Sequence, residues 1–175
     1  GTATSEGLLT LSTDGQYLVV TGYGAALGGG TSLPGTTSAT VNRVIGLVDA
    51  SGTIDTTTAL TDAANTSNPR GAVSTNGTDL WLTGGSGGIR YTTRGSTTST
   101  QLSTTLTNLR SVSIYGSQLF VSTSSGTAVR IGTVGTGIPT TNGQTITNLP
   151  GIPANTGSPY AFVLFDLDAG VTGLD

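Results

Sequence analysis

Val73-Ser74-Thr75-Asn76-Gly77-Thr78-Asp79-Leu80-Trp81-Leu82-Thr83 reads as the end of one strand, a tight turn at Asn76-Gly77 and a second, apolar strand. The same line-up stands twice more. Leu11-Ser12-x-x-Gly15-x-x-Leu18-Val19-Val20-Thr21 precedes it, and Val112-Ser113-x-x-Gly116-x-x-Leu119-Phe120-Val121-Ser122 follows it. A unit recurring at this spacing decides architecture before any single residue does.

Outward from these hairpins the chain adds two more strands per unit. Leu8 to Ser12 and Tyr17 to Tyr23 lead to a second hairpin, Val41 to Asp49 with Thr53 to Leu60, around Ala50-Ser51-Gly52. In the next unit Gly71 to Ser74, Asp79 to Thr83, Gly88 to Thr93 and Thr98 to Ser103 are expected strands. The third has Ser111 to Ile114, Gln118 to Thr123, Ala128 to Val134 and Gln144 to Thr147, and Tyr160 to Asp166 starts a fourth. Gly24 to Thr40, rich in Gly, Ser and Thr and without periodicity, reads as a long exposed loop. It accounts for the wider first interval.

Only 9% of residues are charged and the net charge is -3, whereas disordered chains usually carry high net charge. Threonine suits pleated surfaces because of its branch at Cβ. The reading is a compact all-β protein of one domain, with Thr and Ser at solvent-facing strand positions. Four antiparallel strands per unit match the blade of a β-propeller. The sequence thus predicts about three blades and the beginning of a fourth, with units near 7–62, 70–104, 110–150 and 160–175. A β-solenoid is disfavoured because the repeat is too long for one coil and contains hairpins. A β-sandwich is disfavoured because the units resemble each other closely. Three blades do not close a ring, so further blades of the same protein or further copies of the chain are the expected partners.

The stretches Gly1 to Leu18, Thr37 to Val44 and Tyr160 to Val171 resemble a family of uncharacterised secreted bacterial proteins of propeller-like repeat type. Members often carry surface-sorting or anchoring segments. The resemblance covers most of the chain and implies an extracellular or cell-surface location, with more blades on both sides. It implies no activity and transfers no functional residues. An opening without Met that runs straight into a strand fits a processed or fragmentary chain.

The chain has no Cys, His, Met or Lys, and all six basic residues are Arg. Nucleophilic catalysis through a Ser-His or Cys-His pair, and zinc, copper or haem ligation of the usual kind, have no residues to use within it. Dispersed arginines on an acidic chain give no stripe for nucleic acid. No apolar run approaches the ~20 residues of a membrane span. Asp166-x-Asp168 puts two hard oxygen ligands together, as Ca²⁺ requires, although the rest of a calcium loop is missing. Solvated or Arg-paired aspartates at a strand end are the competing reading. Asn65-Thr66-Ser67 and Asn76-Gly77-Thr78 fit the N-glycosylation pattern. Trp81, in the place held by Val19 and Phe120 in the sister strands, is expected in the core between blades.

The functional expectation is a non-catalytic scaffold or interaction module, with the Gly24 to Thr40 loop and the blade-edge turns presenting surface to a glycan or protein ligand. The first alternative is part of a propeller-type enzyme, hydrolase or lyase, with a pocket lined by Arg70, Arg110 or Glu6 and further groups outside this chain. The second is a self-assembling surface or filament component.

Overall fold

A computed structural model of the chain describes residues 6–28, 30 and 32–165. Among them are three four-stranded antiparallel sheets and no α-helix. Each sheet is a simple meander of strands that neighbour each other in sequence. The first contains β1 (Thr10–Leu11), β2 (Tyr17–Tyr23), β3 (Arg43–Asp49) and β4 (Ile54–Leu60). The second contains β5 (Pro69–Ser74), β6 (Asp79–Gly84), β7 (Arg90–Thr93) and β8 (Thr100–Gln101). The third contains β9 (Val112–Tyr115), β10 (Gln118–Ser122), β11 (Ile131–Val134) and β12 (Ile146–Asn148). β1, β8 and β12 are shorter than the sequence suggests, whereas β5 begins two residues earlier than expected, at Pro69. The stretch Ala161 to Phe165 alternates exposed and half-buried residues, but Tyr160 to Phe165 pairs into no strand.

The sheets are joined in one repeated way. The first strand of each later sheet packs on the first two of the sheet before it: β5 on β1 and β2, β9 on β5 and β6. In the first joint Val19, Ile45 and Leu47 meet Ala72, Leu80 and Leu82. In the second, Val73 and Trp81 meet Val112, Leu119 and Val121. Side chains alternate across a strand. The sister residues Leu80 and Leu119 therefore point back to the preceding sheet, while Val19 and Trp81 point forward to the next. Trp81 is buried as expected, stacks on Tyr91 at 5.4 Å and donates its Nε1–H to Pro139 O at 2.8 Å.

Threonine does more than favour strands. Thr21 and Thr83, which hold matching places in β2 and β6, are both buried. Their hydroxyls donate across the joints, to Pro69 O at 3.4 Å and to Arg110 O at 2.6 Å. Each acceptor lies at the start of the next sheet. A buried hydroxyl needs such a partner, and these cross-links fix how one sheet sits on another.

The three hairpins are not superimposable. Leu11 pairs with Leu18, Ser74 with Leu80 and Ile114 with Leu119. The third closes most tightly, with Gly116 and Ser117 at φ 52° and 59°, the pattern of a two-residue type I′ turn. A one-residue change of register turns a first-strand residue to the other face. Leu11 faces outward for that reason, whereas Val73, its match in sequence, is core.

Candidate functional site

The arginines are where this fold concentrates chemistry. Arg43 opens β3 and is fully buried. Its guanidinium donates to the carbonyls of Thr36 and Val41 at 2.6 Å each, Ser67 at 3.1 Å and Ala64 at 3.2 Å. The Gly24 to Thr40 segment is consequently not a free loop throughout. Leu33–Gly35 forms a 3-10 turn, and buried Ser38 bonds to Thr61 O and Asn65 Oδ1. Among the described residues of this segment Gly24 to Gly28 are all exposed, and Leu27 projects fully into solvent. Arg43 also lies 5.1 Å from the Tyr23 ring centroid, and the Tyr23 hydroxyl donates to Glu6. Burial, and then the Glu6 carboxylate, push the Tyr23 phenol well above its ordinary value, while burial pulls Arg43 down.

Arg70 and Arg110 occupy matching places at the starts of the second and third sheets. A bulge between Pro69 and Gly71 sets Arg70 there. Arg70 Nη1 donates to Asn108 Oδ1 at 2.6 Å and Leu109 O at 3.0 Å. Arg110 Nε donates to Ser124 Oγ at 3.2 Å, and its guanidinium lies 3.9 Å over the Tyr160 ring. Burial, followed by repulsion from Arg110, lowers the Arg70 pKa. Arg70 Nε and Arg110 Nη1 are buried without a hydrogen-bond acceptor. The structure thus brings Arg70, Arg110 and Tyr160 to one end of the sheet stack. Glu6 acts on Arg70 only through space, and its carboxylate is taken by Tyr23.

Two ion pairs span the first joint. Asp62 pairs with Arg90 at 3.1 Å, and Asp55 pairs with Arg94 at 2.6 Å. Asp55 is held at about 2, first by Thr57, whose hydroxyl and backbone N–H both donate to it, and then by Arg94. Asp14 and Asp49 cap turns through Ser12 and Ser51, and Asp79 accepts from Tyr91 OH at 2.7 Å. That hydrogen bond, then burial, raises Tyr91 to about 12. All acidic side chains among the described residues are therefore engaged in turns, tyrosine contacts or ion pairs. Among the described residues no three of His, Cys, Asp and Glu cluster as a metal site.

Asn65 and Asn76 are exposed, and both use Oδ1 to organise nearby backbone. Asn65 accepts from Ser38 N–H at 2.9 Å, and Asn76 accepts from Thr78 N–H at 2.9 Å and Asp79 N–H at 3.2 Å. Asp166 and Asp168 lie outside the described residues. A cleft of about 300 Å³ beside the third sheet is lined by Thr105, Thr107, Ser125 and Thr127 over Leu106 and Ile146, without a charged group.

Sequence reasoning missed the burial of Arg43. Arginine opens the third strand of each unit, at Arg43, Arg90 and Arg130, and that recurrence reads in the sequence as arginines knitting neighbouring units through carbonyls and carboxylates, without showing that Arg43 is completely buried. No helix among the described residues is long and apolar enough to cross a membrane. The sequence matches no protein-family model, and neither the curated proteins nor the solved structures contain a match.

Proposed function

We propose that this chain is a non-catalytic scaffold and interaction module of an extracellular or cell-surface protein, its three sheets serving as successive blades of a propeller-type array. The observation that carries this reading is the repeated joint. Equivalent residues of β2 and β6 point forward, equivalent residues of β6 and β10 point back, and equivalent threonines bridge to the next sheet. Such a stack extends by adding sheets, as blades do. The engagement of the acidic side chains in structural bonds supports a scaffold over a catalyst. The surface offered to a ligand is the projecting part of the loop around Leu27, held at its base by Arg43. Its composition suits a neutral glycan or a protein partner.

The test is binding of the purified chain to immobilised polysaccharides and secreted proteins, with Leu27→Ser and Arg70→Ala variants in parallel. Loss of binding in Leu27→Ser with retention in Arg70→Ala is the expected outcome. Binding that survives at the loop and vanishes with Arg70, or turnover of a bound glycan, contradicts it.

A further inference from the structure

We infer that Asn142 is a site of spontaneous covalent modification, at which the chain converts asparagine to aspartate or isoaspartate through a cyclic imide, while the fold protects the chemically equivalent Asn76. Asn-Gly occurs twice, at Asn76-Gly77 and Asn142-Gly143, and Asp-Gly once, at Asp14-Gly15. In such a pair the glycine nitrogen can approach the preceding side-chain carbonyl carbon, because glycine has no Cβ in the way. The step balances within the chain and water. The glycine nitrogen loses its proton and bonds to Asn Cγ. That proton passes by way of water to the side-chain amide nitrogen, which leaves as ammonia. Water then opens the imide at either carbonyl, giving aspartate or an isoaspartate whose main chain runs through Cβ. The fold must therefore supply a free side-chain amide, a free glycine N–H, and room to bring them together.

Asn142-Gly143 supplies all of these. Both residues are exposed, on the connection between β11 and β12. Among the described residues neither the Asn142 side-chain amide nor the Gly143 N–H has a hydrogen-bond partner; only the Asn142 main-chain carbonyl is bonded, to Gln144 Nε2 at 3.4 Å. Gly143 stands at φ 81°, and a Cβ there would meet no atom within 4 Å. Asn76 is exposed too, but its Oδ1 is held by the N–H groups of Thr78 at 2.9 Å and Asp79 at 3.2 Å. The Gly77 N–H donates to the Oγ of buried Ser74 at 2.8 Å, and the Tyr17 ring lies against Gly77. Asp14-Gly15 is held in a similar way. Asp14 Oδ1 accepts from Ser12 Oγ and Gln16 N–H, and the Gly15 N–H donates to Ser12 O at 2.8 Å. Both repeat hairpins thus tie down the groups that Asn142-Gly143 leaves loose. Reaction at Asn142 adds a negative charge close to Gln144, whose backbone N–H donates to Leu102 O at 2.8 Å and so ties the third sheet to the end of the second. The isoaspartate product also lengthens the main chain there.

Peptide mass spectrometry of the purified 175-residue chain tests this, with one sample aged folded at mildly alkaline pH and another held unfolded in guanidinium chloride. Unfolded, both Asn-Gly pairs should react at comparable rates. Folded, Asn142 should react at least roughly tenfold faster than Asn76, because the hydrogen bonds at Asn76-Gly77 must open first. The intact folded chain should drift to a more acidic isoelectric point over the same period. Asn142→Gln, whose longer side chain closes the ring poorly, should stop that drift. Equal rates at the two sites in the folded chain, faster reaction at Asn76, or an Asn142 that reacts only when unfolded overturns the proposal. So does an acidic drift that persists unchanged in Asn142→Gln. Neither the loop at Leu27 nor any ligand enters this chemistry, so it stands or falls separately from the scaffold reading.

Discussion

Gly77 shows how one residue holds two sheets. It sits at φ 79°, and a Cβ there would run into the ring of Tyr17 from the first sheet. Gly77→Ala therefore carries both backbone strain and a clash, and it should lower stability by about 2–3 kcal/mol in denaturant unfolding. A neutral result would mean that Tyr17 does not rest on this turn. Arg43 is the second such residue. Its planar fork reaches carbonyls on two separate segments, which a lysine ammonium cannot span. Arg43→Lys should cost about 2–4 kcal/mol and expose the loop before Val41 to proteolysis. These demands were legible only in part. Asn76-Gly77 announced a turn but not what leans on it, and the recurrence of arginine at the openings of the third strands pointed to contacts with carbonyls and carboxylates but not to the complete burial of Arg43.

The hairpins and joints belong to the scale of elements. Alternation in Leu80-Trp81-Leu82 and its sister strands was legible, and with it the strand type and the placing of Trp81 between sheets. Register was not, because it depends on turn length. The matched glycines sit in turns that leave different pairs opposite each other, so Leu11 and Val73 align in sequence and face opposite ways. The bulges between Ile45 and Leu47 and between Pro69 and Gly71 likewise have no local signature. Ser117 occupies the second position of a type I′ turn at φ 59°, where glycine is preferred. Ser117→Gly should raise stability by about 0.5–1 kcal/mol, and a loss would contradict the turn assignment. Removing the Thr83 hydroxyl in Thr83→Val leaves Arg110 O short of a buried donor and should cost about 1–3 kcal/mol by the same measurement.

For the whole molecule, the absence of histidine gives the pH profile its shape. Asp55 is held at about 2 when folded, below the ~3.9 of a free aspartate. Its contribution is present above the unfolded value and is lost as pH falls from about 4 toward 2. Tyr91 is raised to about 12, so its contribution is present below the ordinary value of ~10 and is lost as pH climbs from there toward 12. Between these limits no side chain of the described residues with a resolved shift titrates, and the midpoint of unfolding should stay flat from about pH 5 to 9. Asp55→Asn should remove part of the acid limb, as a set of urea titrations across pH would show.

The stacking rule is the centre of this account, and methyl-to-methyl nuclear Overhauser contacts on the labelled chain test it directly. Leu80 and Leu82 methyls should show cross-peaks to Val19, Ile45 and Leu47, while Leu119 and Val121 methyls reach the Trp81 indole. Contacts joining Leu80 to Val112, or the Trp81 indole to Val19, would mean that the sheets pack by opposite faces, and would contradict it.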